Sequence, residues 1–140
     1  MLARRSTGLT AFAAAFLAAA AACAQERGAD VGKAEYLTSC AVCHGTGGKG
    51  DGPFAAQLKK AVADLSVIQK NNGGIFPFDR IYDVIDGREA VASHGPRDMP
   101  VWGGIYGMRA REQSGGTATE SLTRGQILAL VGYIYSLQAK

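Results

Sequence analysis

The segment Cys40-Ala41-Val42-Cys43-His44 places two thiols three positions apart, with a histidine directly after the second. Residues three positions apart lie on one face of a helix, so both thiols can reach the same flat group. The pattern C-x-x-C-H is typical of covalent c-type haem attachment, in which each cysteine forms a thioether with a haem vinyl group. His44 then offers its imidazole to the iron from the proximal side. The segment therefore predicts one haem c, bound through Cys40 and Cys43.

Three other kinds of site use part of this segment. A redox-active C-x-x-C of the thioredoxin type expects a strand followed by a helix and gives His44 no role. A zinc site needs four ligands, and His94 alone remains to join the segment as a nitrogen or sulfur donor. A disulfide between the two cysteines closes a very short loop and stabilises little. Haem attachment is the interpretation that uses all three residues.

The first 24 residues have the layout of a secretory signal peptide. Arg4 and Arg5 precede an apolar run over residues 11–22, and Ala22-Cys23-Ala24 fits the A-x-A cleavage rule. We therefore expect a signal peptide over residues 1–24 and a single domain over residues 25–140. Export to the periplasm also suits the motif, because c-type haems are attached there.

Cys23 allows a second interpretation, as the lipid-bearing cysteine of a bacterial lipoprotein. Such signals usually carry a larger aliphatic residue three positions earlier, where this chain has Ala20. No later segment approaches the ~20 apolar residues of a membrane span. We expect a mature chain with no transmembrane span, and keep a lipid anchor at Cys23 as the alternative.

Composition excludes several function classes. Removal of Arg4 and Arg5 with the signal leaves 13 basic and 12 acidic residues, and no basic stripe with interleaved aromatic residues indicates a nucleic-acid partner. The mature chain holds two cysteines, both in the motif, which excludes a structural disulfide elsewhere. Nineteen glycines indicate a loop-rich fold with a thin core, to which a buried macrocycle would add.

Helical signals dominate the first half of the mature chain. Residues 30–43 predict a helix, and residues 53–63 a short one that begins at a proline. Asp64 can cap one further turn. The next helix is predicted to begin at Pro77 and to end at Gly87.

The second half contains one strongly predicted element. Residues 88–121 lack sustained periodicity, which predicts a long wrapping loop. Thr123 and Gln126 form a capping box for the last helix, with a staple from Leu122 to Ile127. The helix then carries an apolar stripe of Ile127, Leu130, Val131, Ile134 and Leu137.

Gly32 and Gly132 interrupt the first and last predicted helices. A glycine inside a helix costs about 1 kcal/mol relative to alanine, so both need a reason. Close approach of the two helices supplies one. No strand pattern or internal repeat is present, and the domain is predicted to be all-α.

The chain resembles the class I c-type cytochromes, the small monohaem electron carriers, over residues 30–140. The resemblance rests on Gly32, Tyr36, the haem motif, Gly47-Lys49-Gly50-Asp51-Gly52-Pro53, Met99-Pro100-Val101-Trp102-Gly103, Val131 and Tyr133. It implies a cytochrome c-like fold, in which helices surround one covalently attached haem. It also implies that the first and last helices cross, with Gly32 against Gly132 and Tyr133.

Met99 is the predicted sixth ligand of the iron. It stands directly before Pro100, as the ligand methionine does in the family pattern, and a thioether raises the reduction potential by favouring ferrous iron. Met108 is an alternative sulfur in a glycine-rich stretch, and His94 an alternative imidazole that would give a lower potential.

The resemblance suggests a backbone acceptor for His44, and the needs of a bound haem suggest further residues. A backbone carbonyl at Gly52-Pro53 is expected to accept the other ring N–H of His44. Trp102 is the first candidate for a haem propionate donor, with Arg80, Arg88 and Arg97 as others. The residues predicted to lie in the haem pocket or the core are Phe54, Ile68, Phe76, Phe78, Ile81, Tyr82 and Ile85.

Together these features predict a periplasmic one-electron carrier of a respiratory chain and not an enzyme. Its expected partners are a donor dehydrogenase or respiratory complex and an acceptor oxidase or reductase, steered by Lys49, Lys59, Lys60 and Lys70. One alternative is a permanently bound subunit of a periplasmic dehydrogenase of the sulfite or alcohol type. A haem enzyme or gas sensor with an open iron position is the other.

Overall fold

The computed structural model describes residues 30–89 and 99–139, and these fold entirely from helices and connecting loops. Five helices are α1 over residues 30–44, α2 over Ile68–Asn71, α3 over Phe78–Asp86, α4 over Trp102–Ser114 and α5 over Thr119–Ser136. None of the helices in these ranges has the length and apolar character needed to cross a membrane. The all-α prediction is confirmed.

α1 and α5 cross in close contact. Gly32 is buried, and a Cβ atom on it would lie 2.6 Å from the carbonyl carbon of Ala129. The rings of Tyr36 and Tyr133 meet with centroids 5.1 Å apart. The predicted crossing is therefore present, but Gly132 is not its counterpart, because a Cβ on Gly132 would have no atom within 4 Å.

The core lies where α5 meets α1, α3 and α4. α4 packs along α5, and α3 contacts both of them. The fully buried side chains are Tyr36, Tyr106, Ile127, Leu130 and Val131. Three of these belong to the apolar stripe predicted for the last helix, which confirms the orientation of that stripe toward the core.

Both ends of α3 follow the sequence signals. Pro77 precedes the first helical residue, and Gly87 ends the helix with φ 91°, a left-handed conformation that glycine adopts without steric cost. The turn before α2 is also as predicted, because the Asp64 side chain accepts from the backbone N–H of Ser66 at 2.8 Å. Here local sequence determined local structure.

The predicted helix over residues 53–63 is wrong. The structure has a single 3₁₀ turn at Ala55–Gln57, followed by irregular chain. That chain turns its carbonyl groups inward, since the Val62 oxygen lies beside Gly50. Carbonyl groups used in this way are not available for a helical ladder.

The predicted loop over residues 88–121 is also wrong in its second half, which contains α4 and the start of α5. α4 buries only Tyr106 and Ala110, so it leaves little periodic signal in the sequence. The capping box is wrong because α5 begins at Thr119. Thr123 instead donates to the Thr119 carbonyl at 2.7 Å within the helix.

Candidate functional site

A cavity of about 400 Å³ contains the cysteine motif. Cys40, Cys43 and His44 line it from the last two turns of α1, and Met99 and Trp102 line it from the start of α4 and the residues before it. The cavity thus brings together five of the six predicted site residues, which are far apart in sequence. Its volume falls within the usual range for ligand and cofactor sites.

The walls of the cavity are mostly apolar. Side chains from the α2 region, α3 and α5 form them, namely Leu58, Leu65, Ile68, Ile81, Val84, Ile85, Leu130 and Ile134. Among the residues predicted for the haem pocket or the core, Phe76 is buried in the core and Tyr82 packs against it. Phe54 and Phe78 are instead exposed. Such walls suit a large apolar ring system with polar groups at few points.

The cysteine motif follows a π-helical turn. Residues Tyr36–Cys40 have this wider geometry, and the N–H of Ala41 accordingly bonds the carbonyl of Tyr36 five positions earlier. The last turn, Ala41–His44, returns to α-helical geometry. π-Helical turns are rare and occur frequently at functional sites, and this one sets the direction in which Cys40 and Cys43 enter the cavity.

His44 is oriented by a backbone carbonyl. Its Nδ1 atom lies 3.1 Å from the oxygen of Ala63. A carbonyl only accepts, so Nδ1 carries the proton and the lone pair of the ring is on Nε2, the atom suited to bind a metal. Second-sphere hydrogen bonds of this kind fix ring orientation and ligand basicity.

This acceptor differs from the carbonyl at Gly52-Pro53 that the resemblance suggests. Pro53 is exposed and does not line the cavity. The residues on either side of Pro53 form hydrogen bonds with the end of α1 instead. The N–H of Gly52 donates to the Cys43 carbonyl, and the N–H of Phe54 donates to the Val42 carbonyl. These bonds satisfy helix-terminal carbonyls that have no partner within the helix.

The end of α1 is fixed from two further directions. Gly45 ends the helix with φ 76°, and its carbonyl accepts from the buried Tyr36 hydroxyl at 2.8 Å. The N–H of Gly50 donates to the His44 carbonyl at 2.8 Å. The glycine-rich loop therefore folds back under the motif and holds it rigidly.

Cys40 and Cys43 do not form a disulfide with each other. Cys40 is buried, and burial, followed by the negative charges of Glu35 and Cys43, raises the pKa of its thiol to about 12. Within residues 30–89 and 99–139 no group of three or more histidine, cysteine or acidic side chains is arranged to hold a metal ion. The zinc alternative therefore has no support in that part of the chain.

A family model described as "Cytochrome C oxidase, cbb3-type, subunit III" matches residues 27–113. The chain belongs to this family. Comparison with curated proteins and with solved structures returned no match. The resemblance to class I c-type cytochromes is confirmed, and the chain is a c-type cytochrome domain that carries covalently bound haem c and transfers electrons.

The cavity of this cytochrome fits its haem. Two thiols and an imidazole come from one short segment of α1, a thioether comes from another segment, and apolar side chains lie between them. Cys40 and Cys43 would hold the macrocycle, and His44 would bind its iron. The roles of Met99 and Trp102 stay predictions, although both line the cavity.

The other candidates from the sequence lie in different places. Arg80 lines the cavity and pairs with Glu89 at 3.1 Å, whereas Arg88 pairs with Asp86 outside the lining. Met108 is 64% exposed and does not line the cavity. His94 and Arg97, like the signal segment and Cys23, lie outside the described residues.

Sequence reasoning missed two features of the site. The Ala63 carbonyl is a backbone group that residue identity does not reveal. Glu35, one turn before Cys40, is a carboxylate held between helices; its position on the helix face next to Tyr36 was the available signal. The contributions of Leu130 and Ile134 to the cavity follow from the predicted stripe.

Proposed function

We propose that this cytochrome carries single electrons in the periplasm, with its haem iron bound by His44 on one side and Met99 on the other. The observation that supports this is the cavity that both side chains line, together with Cys40 and Cys43. The bound haem supplies an iron centre that accepts and releases one electron. Protein side chains then determine its ligands, its surroundings and its access to partners.

The two proposed ligands favour electron transfer over substrate chemistry. The imidazole of His44 is held in the tautomer that leaves the lone pair on Nε2. A thioether from Met99 is a soft, weak ligand that favours the reduced metal. With both axial positions occupied by side chains, no position is open for a substrate, so the proposal is an electron-transfer protein and not an enzyme.

The lining supports the same role. Apolar side chains from three helices form most of the wall of the site. An apolar environment disfavours the additional charge of the oxidised centre, which raises the reduction potential in the same direction as a thioether ligand. Partners would meet the protein through a small, wet and quickly dissociating interface.

The Met99→Ala variant tests the ligation. The oxidised wild-type protein should show the weak far-red absorbance band of iron–sulfur coordination, and the variant should lose it. Met108→Ala is the matched control, because that side chain is exposed and outside the cavity lining, and it should keep the band. Survival of the band in Met99→Ala would contradict the proposal.

Two further measurements separate the rivals. His94→Ala should retain the band if Met99 is the ligand and should lose the low-spin spectrum if His94 is. Rapid binding of carbon monoxide to the reduced wild-type protein at neutral pH would favour an open-site sensor or enzyme, since binding of both His44 and Met99 would leave no vacant position.

The periplasmic location is part of the proposal and depends on residues 1–24. Mass spectrometry of the mature amino terminus tests it. Cleavage after Ala24 should leave Gln25 as the first residue, whereas a diacylglyceryl group on Cys23 would show that the protein is a membrane-anchored lipoprotein.

The family description favours a second candidate, a bound subunit of a terminal oxidase in place of a free carrier. A free carrier and a bound subunit differ in how long they stay in complex with a partner, and not in the haem site. Purification from its natural host under native conditions distinguishes them. A single 116-residue species indicates a carrier, and stoichiometric co-purification with an oxidase or a dehydrogenase indicates a subunit of that enzyme.

A further inference from the structure

Glu35 occupies an unusual position for a carboxylate. Its side chain is only 10% exposed and lies between α1, α4 and α5. Oε1 accepts from the Ser39 hydroxyl at 2.6 Å and from the Tyr106 hydroxyl at 3.1 Å. Oε2 accepts from Nε2 of Gln126 at 3.1 Å, and the guanidinium of Arg109 lies 3.4 and 3.5 Å from the two oxygens.

The side chains around the Glu35 carboxyl group are hydrogen-bond donors. The amide nitrogen of Gln126 and the guanidinium of Arg109 can donate but cannot accept, so each oxygen faces at least one group that requires an acceptor. A glutamate side chain ordinarily carries a negative charge at neutral pH. The core between the three helices thus contains a negative charge.

Two short paths connect this charge to the haem cavity. Ser39, which donates to Glu35, lines the cavity one residue before Cys40. Tyr106, which also donates to Glu35, stacks on Trp102 with ring centroids 5.9 Å apart, and Trp102 lines the cavity as well. The charge therefore lies just behind the cavity wall.

The positive charge of Arg109 does not cancel the negative charge of Glu35 at the cavity. Arg109 is 47% exposed, whereas Glu35 is almost fully enclosed. Water and salt screen an exposed charge far more strongly than a buried one. The field that reaches the cavity from this pair is consequently negative.

We propose that Glu35 is a positioning residue of the electron-transfer site that lowers the reduction potential of the haem with its buried charge and aligns α4 through Tyr106. Oxidised iron carries one more positive charge than reduced iron, so a nearby negative charge favours oxidation. The thioether and the apolar cavity wall act in the opposite direction, and Glu35 limits how far they raise the potential. This inference rests on the proposed electron-transfer function.

Glu35→Gln in the haem-loaded protein tests the charge, because glutamine keeps the size and can still hydrogen-bond. We expect the ratio of oxidised to reduced protein at a fixed ambient potential to fall roughly tenfold, which corresponds to about 59 mV for one electron. Glu120→Gln is the matched control. That carboxylate is 84% exposed at the start of α5, and its removal should leave the ratio unchanged.

A purely structural role gives the opposite sign. Loosened helices would admit water, water favours the oxidised form, and the ratio would rise. A rise or an unchanged ratio in Glu35→Gln therefore overturns the proposal. Gln126→Lys provides an independent reading if the first variant folds poorly, since it keeps Glu35 and places a positive charge beside its Oε2 atom. It should lower the ratio, the direction opposite to that of loosened helices, and an unchanged or higher ratio overturns the proposal.

Spectra separate this inference from the function on which it rests. The far-red band of the oxidised wild type reports whether Met99 binds iron, and it does not depend on Glu35. If wild type lacks the band, the ligation is wrong. If wild type and Glu35→Gln both keep it while the ratio does not fall, the ligation stands and the role of Glu35 is wrong.

Discussion

Gly32 in α1 lies directly against the carbonyl group of Ala129 in α5, and a Cβ atom would stand 2.6 Å from the carbonyl carbon and nearer still to the oxygen. The two helices thus approach as closely as their backbones allow. This contact fixes α1, which carries the cysteine motif, against α5, which supplies Leu130 to the cavity. The contact between Gly32 and Ala129 therefore stabilises both the helix crossing and the haem site.

Gly32→Ala is therefore expected to destabilise the protein by about 1–3 kcal/mol, because the added carbon overlaps backbone that cannot move alone. Gly132→Ala is the control on the other helix. Open space surrounds its missing Cβ, so alanine should stabilise the helix by up to about 1 kcal/mol. Urea unfolding followed by circular dichroism measures both, and equal effects would contradict the crossing described above.

A second close approach involves Gly103 at the start of α4. A Cβ on it would lie 2.6 Å from the carbonyl oxygen of Asp86 at the end of α3, whereas one on Gly104 would meet nothing within 4 Å. Gly103→Ala should displace α4, and with it Met99, at a cost of about 1–3 kcal/mol. We expect a weaker far-red band and lower stability in Gly103→Ala, and neither change in Gly104→Ala.

Covalent attachment gives a third prediction. Cys40→Ala should leave one thioether and Cys40→Ala/Cys43→Ala none, so haem in the double variant should be lost on acid–acetone extraction. Val42→Ala lies between the cysteines with an exposed side chain and should retain all of its haem. Haem staining after denaturing electrophoresis, together with the mass of the chain, measures the outcome. Haem that stays bound to the double variant through denaturation would contradict thioether attachment.

The sequence predicted those parts of the site in which residue identity carries the chemistry. The cysteines and His44 are recognisable because haem attachment needs their side chains at fixed spacing, and Met99 because proline follows it. The partner of His44 was not predictable in this way. It is the main-chain oxygen of Ala63, which any residue offers.

The helices differ in the same way: some leave a signal in the local sequence and others do not. The apolar stripe of α5 was predicted because burial on one face leaves a period in the sequence, and α3 because proline and glycine mark its ends. α4 was missed because it buries only Tyr106 and Ala110. The prediction of Gln126 as a capping residue was wrong because its amide donates a hydrogen bond to Glu35. Glu35 lies on another helix, so a local sequence pattern does not show this contact.

The fourth prediction concerns alkaline pH and two buried tyrosines. Burial raises the pKa of both Tyr36 and Tyr106 above the ordinary value of about 10. Each keeps its proton in the folded state under conditions in which the unfolded chain releases it. Stability is thus fully present below pH ~10 and falls above it, by up to about 1.4 kcal/mol per pH unit for each tyrosine.

Tyr36→Phe removes one of these groups and separates two effects. At neutral pH the variant should be about 1 kcal/mol less stable, because the hydroxyl no longer donates to the Gly45 carbonyl. Above pH ~10 its stability should fall less steeply than that of wild type, with Tyr106 accounting for the remaining slope. Tyr135→Phe, at an exposed position, is the control and should keep the wild-type slope. Urea unfolding of the haem-loaded proteins between pH 7 and about pH 11 measures these slopes, and parallel curves for Tyr36→Phe and wild type would show that the Tyr36 proton does not contribute.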